Sequence, residues 1–74
     1  VPTATAQQFE QRRAFGARVR ALRIEKGMSQ EGLAHAAGLD RSYVGQVERG
    51  ERNVTLDNIY RLAGALKVDV AQLF

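Results

Sequence analysis

No cysteine occurs in the 74 residues, which excludes disulfides, thiolate metal sites and a cysteine nucleophile. That absence also suits a reducing compartment. The one histidine, His35, cannot build a metal site without partners, and at i,i+4 from Glu31 it reads as an exposed helix residue. Carboxylates are not clustered as a metal would need, and no serine is placed with a histidine and an acid. Neither catalysis, nor a cofactor, nor a small-molecule ligand is therefore expected. No apolar run approaches the ~20 residues of a membrane span, and the N-terminal "VPTATAQQ" lacks an apolar signal core. The expectation is a soluble, cytoplasmic protein without a membrane partner.

What remains allows one small domain. A chain of this length is only marginally able to stabilise itself by burial, so helices with local contacts, or a dimer sharing a core, are the expected remedies. The net charge is +3, and it is unevenly spread: residues 1–28 carry six basic side chains, among them Arg12, Arg13, Arg18, Arg20 and Arg23, against two acidic ones. Such an excess is either a footprint for a polyanion or a solvated helix face.

Apolar residues recur at helical spacing throughout and nowhere alternate with a period of two, so the domain is expected to be all-α. Phe15, Val19 and Leu22 give a first helix, roughly residues 9–26, a core stripe that stops at Gly27. Residues 1–8 before it, with the only proline at Pro2, read as a flexible arm and residues 9–74 as one domain. Ser29 caps a second helix that buries Leu33, Ala34 and Ala37 and ends at Gly38. Asp40 is a good N-cap for a third, residues 41–49, terminated by Gly50. Thr55 caps a fourth, with Leu56, Ile59, Leu62, Ala63 and Leu66 inward, and Asp69 caps a short fifth.

Only Gly38, Leu39 and Asp40 separate the second and third helices, which forces a steep crossing with Ala34 and Ala37 at the close approach. On a wheel of the third helix, Tyr43, Val44 and Val47 share one side, while Arg41, Ser42, Gly45, Gln46 and Arg49 share the other. That outer face is polar or lacks a side chain. Gly45 at its centre costs about 1 kcal/mol of helix propensity relative to alanine; either the backbone presses close to a partner there, or the position is unconstrained surface. Hydrogen-bond acceptors fit the face. Arg41 can give two donors to guanine, Gln46 can pair with adenine, and Ser42 suits base or phosphate. Gln30, Tyr43, Arg49, Arg52, Asn53 and Thr55 stand around it as candidate phosphate ligands.

The stretch "SQEGLAHAAGLDRSYVGQVERGERN" resembles the helix-turn-helix of the Cro and phage-repressor family, often called the Xre family. Leu33, Ala34, Gly38, Val44 and Val47 all fall in that family's register, and the resemblance runs from about residue 15 to the end. Within it, "GLDRSYVGQVERGERNVTL" is most similar to the controller proteins of restriction-modification systems, small dimers that regulate their own operon and an endonuclease gene. The resemblance implies a compact five-helix lambda-repressor-like domain, with the motif at about 29–49, that binds a pseudo-palindromic double-stranded DNA operator as a homodimer. It implies that Arg41, Ser42 and Gln46 read bases and that Gln30, Tyr43, Arg52, Asn53 and Thr55 hold phosphates. It also implies that Arg23 and Glu48 form an ion pair between the first and third helices. The apolar C-terminal end, with Tyr60, Val68, Val70, Leu73 and Phe74, is the expected dimer interface. Gly45 departs from members with a long side chain at that position, which shifts readout onto Arg41 and DNA shape. The N-terminal segment either reaches along DNA or packs on the dimer. The alternative to a DNA regulator is a protein-interaction module on the same fold, such as an antitoxin or coactivator, which calls for an apolar patch apart from the dimer surface.

Overall fold

A computed structural model describes residues 3–74, so residues 1 and 2 of the expected arm lie outside the described residues. The first helix, α1 (Ala6–Glu25), starts earlier than the apolar stripe predicts. The cause is a capping box: Thr5 Oγ1 accepts from the Gln8 N–H at 3.2 Å, and Gln8 Oε1 accepts from the Thr5 N–H at 2.8 Å. Residues 6–8 are thus helix rather than arm.

Four α-helices and one 3-10 turn replace the five helices expected: α2 (Gln30–Ala37), α3 (Arg41–Glu48), α4 (Leu56–Leu66) and a C-terminal turn at Val70–Leu73. The last element spans four residues and closes with i→i+3 bonds, from the Gln72 N–H to Asp69 O at 2.9 Å and from the Phe74 N–H to Ala71 O at 3.3 Å. Among the described residues there is no strand. Nor is any described helix long and apolar enough to cross a membrane.

Local chemistry sets most boundaries. Ser29 Oγ and Thr55 Oγ1 each accept a backbone N–H of their helix, from Gly32 and Asn58. Gly38 ends α2 in the left-handed conformation at φ 69°, and the Leu39 N–H reaches back to Ala34 O. Asp40 occupies the N-cap of α3, but its side chain makes no cap bond. With no side-chain cap, α3 depends on packing against α1 and α2: Val44 and Val47 are fully buried, in the core cluster that also holds Val19, Leu33 and Leu62.

The first and third helices meet at Gly16, a position the helical periodicity gave no reason to single out. A Cβ there would collide with the Val47 carbonyl oxygen and stand 2.8 Å from that of Glu48. Next to this contact Arg23 Nε donates to Glu48 Oε2 at 2.6 Å and Nη2 to Oε1 at 3.1 Å, while Nη1 holds the Met28 carbonyl at 2.8 Å. One other arginine in the basic run is also taken up by the fold: Arg18 Nε donates to Gln72 O at 2.7 Å and latches the C-terminal turn onto α1. The backbone of α1 at Arg13 also lies close to Gly50.

The C-terminal end differs from expectation. Leu73, expected at a dimer interface, is fully buried in the domain's own core, because the latched turn folds it back beneath α1 and α4. Val68 and Val70 are half-buried against the same core, whereas Tyr60 and Phe74 are exposed. Leu56, expected inward, is 67% exposed, while Leu62, Ala63 and Leu66 further along α4 are buried.

Candidate nucleic-acid interface

Arg41, Ser42 and Gln46, the three residues assigned to base reading, come together on the outer face of α3. With Gln30, Gly45 and Arg49 they line an open notch of ≈ 230 Å³. Gly45 forms its floor and is buried beneath its neighbours' side chains. A Cβ on Gly45 would meet only side-chain ends and no backbone, with Arg49 Nη1 at 3.2 Å and the Gln30 amide at 3.7 Å. The fold therefore has no strict need for glycine here, in contrast to Gly16.

The scaffold reaches this notch through Gln30. Its Nε2 donates to Glu48 Oε1 at 3.0 Å, so the buried Arg23–Glu48 pair orients the Gln30 amide and leaves its oxygen towards Gly45. The buried Glu48 carboxylate has its lone pairs satisfied by three donors from two side chains.

A second set of side chains rims the face. Asn58 Nδ2 donates to the Tyr43 hydroxyl at 3.0 Å, tying α4 to α3 and fixing the ring. The Arg52 guanidinium lies 5.1 Å from the centre of that ring and donates to Gln46 Oε1 at 3.4 Å. Thr55 spends its oxygen on the α4 cap, which leaves its hydroxyl hydrogen to donate. Asn53 is exposed in the same loop. Arg12 extends this rim: it lines a ≈ 210 Å³ depression together with Gln8, Gln11, Arg52 and Asn53. Its number in a basic run singled it out no more than its neighbours; only the packing of α1 beside the 51–55 loop does so.

The electrostatics separate the arginines. Among the described residues Arg41 and Arg52 have no acidic partner, while Arg49 forms an exposed two-point pair with Glu51, at 2.9 and 3.2 Å. The hydrogen bond to Glu51, then its charge, raises the Arg49 pKa, and the hydrogen bond from Arg49 lowers that of Glu51. Among the described residues no group of histidine and acidic side chains could hold a metal ion.

A helix-turn-helix family profile matches residues 19–73. The control protein C.BamHI of Bacillus amyloliquefaciens is 48% identical over 60 residues, spanning 80% of this chain and 74% of that protein. The crystal structure of the restriction-modification controller protein C.AhdI from Aeromonas hydrophila superposes with a TM-score of 0.87 at 57% identity, covering 88% of this chain and 98% of that one. The structure of a hypothetical transcription factor from Neisseria superposes with a TM-score of 0.83 at 41% identity, covering 99% and 84%. These relatives are named as regulators, not as enzymes.

Proposed function

The chain belongs to the helix-turn-helix family of DNA-binding transcriptional regulators, and we propose that it acts as a restriction-modification controller, binding a pseudo-palindromic operator upstream of its own gene as a homodimer. The observation that carries this reading is the notch on α3. Donors from Arg41, Ser42 and Gln46 converge over a glycine floor, on a helix narrow enough for the major groove. Arg41, without an acidic partner among the described residues and at the helix N-terminus, reads guanine; Gln46 and Ser42 read neighbouring bases. Gln30, Tyr43, Arg52, Asn53 and Thr55 fix the register through phosphates, with Arg12 added on the α1 side.

The exposed apolar residues of α4 and the chain end supply the dimer surface. Leu56 and Tyr60 lie one turn apart on one face of α4 at 67% and 59% exposure, and Phe74, its ring 5.2 Å from that of Phe15, is 74% exposed. A two-fold axis on this end would set two α3 helices about 34 Å, or about 10 base pairs, apart on one side of a duplex. Weak binding of one half-site by the monomer would then make occupancy rise steeply with concentration, which suits control of the protein's own synthesis. A regulator of this kind works beside the chromosome, in the cytoplasm.

The test is a gel shift with the duplex upstream of the chain's own gene, against a shuffled duplex at equal salt. Retention of the upstream duplex at least about 1,000-fold more tightly is the expected result. Equal affinity for both, with co-elution of a protein partner instead, would replace it by an interaction module.

A further inference from the structure

Arg49 differs from the other arginines of the face in two ways. Its Nε and Nη2 donate to the two oxygens of Glu51 at 2.9 and 3.2 Å, so one edge of the guanidinium is filled. Its Nη1 lies over the floor of the notch, 3.2 Å from where a Gly45 Cβ would stand. The edge formed by Nη1 and Nη2 therefore remains open, on the same notch as Arg41, Ser42 and Gln46.

Phosphate and base ask for different things. A phosphate rewards net positive charge through counterion release, and a guanidinium already matched by a carboxylate has little of that to give. A guanine edge rewards two parallel donors held in a fixed direction, and a clamped guanidinium supplies them with less side-chain freedom to lose. A longer side chain at position 45 would displace Arg49 from the notch, which gives Gly45 a role that the fold alone does not demand.

We infer that Arg49 and Glu51 read DNA as one unit, with Glu51 a positioning residue that turns the free edge of Arg49 onto O6 and N7 of a guanine. This rests on α3 being the recognition helix. Arg49 lies eight residues after Arg41, a rise of roughly 12 Å, so its guanine stands roughly three to four base-pair steps of about 3.4 Å from the base read by Arg41.

The experiment uses the full chain and its Arg49→Ala, Glu51→Gln and Arg52→Ala variants. Each selects sites from a pool of randomised duplexes. Fluorescence anisotropy then measures its affinity for the wild-type site and for single-base-pair changes across a salt series. Arg49→Ala is expected to lose discrimination at one guanine by about 5-fold or more, with the preference at the Arg41 position intact. Glu51→Gln is expected to loosen that same position by about 3-fold or more, with the slope of log affinity on log salt unchanged. Arg52→Ala should flatten the slope by about one and keep every preference. Both members of the pair are exposed, so melting curves should match wild type and exclude misfolding as the cause. Uniformly tighter binding by Glu51→Gln would overturn the inference, because the carboxylate would then be competing with phosphate for Arg49. So would a flatter salt slope for Arg49→Ala at unchanged base preference. A wild-type chain that selects no sequence at all would instead sink the recognition-helix reading beneath it.

Discussion

Alanine at Gly16 and alanine at Gly45 make the same chemical change inside a helix and should move stability in opposite directions. Each replacement gains about 0.8–1.0 kcal/mol of helix propensity. At Gly45 the new methyl meets only the ends of Arg49 and Gln30, which can swing aside, so most of that gain survives. At Gly16 the methyl meets backbone, the carbonyls of Val47 and Glu48, with 2.8 Å to the latter oxygen. Neither carbonyl can move without shifting α3 off α1 and disturbing the Arg23–Glu48 pair beside it. Overpacking of this kind costs about 1–3 kcal/mol or more, and because the obstacle is backbone we place Gly16→Ala at the upper end, a net loss of about 2 kcal/mol. A domain of this size has roughly 4–11 kcal/mol in total. In thermal melts followed by far-UV circular dichroism, at one fixed protein concentration, Gly16→Ala should fall by roughly 8–16 °C and Gly45→Ala rise by a few degrees. If both variants shifted in the same direction, the assignment of close backbone approach to Gly16 alone would be refuted.

Arg23→Met should lower the unfolding free energy by about 3 kcal/mol or more, and with it the urea midpoint, because it strands a buried Glu48, while Arg12→Met should not; urea titrations of both variants decide this. Arg41→Ala should cost about 1–3 kcal/mol on the selected site and relax one base position, whereas Arg52→Ala weakens all duplexes alike, as read by competition binding. Tyr60→Asp, on the exposed face of α4, should shift sedimentation of a micromolar sample to a species near the 8.2 kDa of one chain without changing the monomer's fold. A wild-type chain already sedimenting as a monomer would remove the dimer. Because the Arg49 hydrogen bond lowers the Glu51 pKa, the pair's contribution is present above the usual glutamate range and lost as pH falls through the lowered value; carboxyl NMR titration should find Glu51 below that range, and Arg49→Ala should return it.

The local part of this fold was legible in the residues. Thr55, Ser29, Gly38 and the stripe Phe15, Val19, Leu22 act within a turn or two of chain, so cap chemistry and a 3.6-residue period suffice to place α1, α2 and α4. The Thr5–Gln8 box was equally local, and its pairing three residues apart was the signal that could have set the true start of α1. The gathering of Arg41, Ser42 and Gln46 was legible too, since residues on one side of one helix share a face whatever surrounds it.

Other features depend on which surface a neighbour covers, and helical period carries no information about that. Leu56 sits on the apolar side of α4 yet is left uncovered, and Leu73 reads as an orphan until Arg18 latches the turn that buries it. Two helical glycines look alike in sequence, but only the crossing of α1 over α3 puts backbone against Gly16 and side-chain tips against Gly45. The sequence by itself determined α1, α2 and α4, the side-chain caps of α2 and α4 and the polar face of α3, because these arise from contacts within a few residues. The tertiary structure alone decided which arginines belong to the scaffold and which face outward, because a guanidinium takes whatever acceptor the packing brings within reach: the Gln72 carbonyl for Arg18, Glu48 for Arg23, and no acidic partner among the described residues for Arg41.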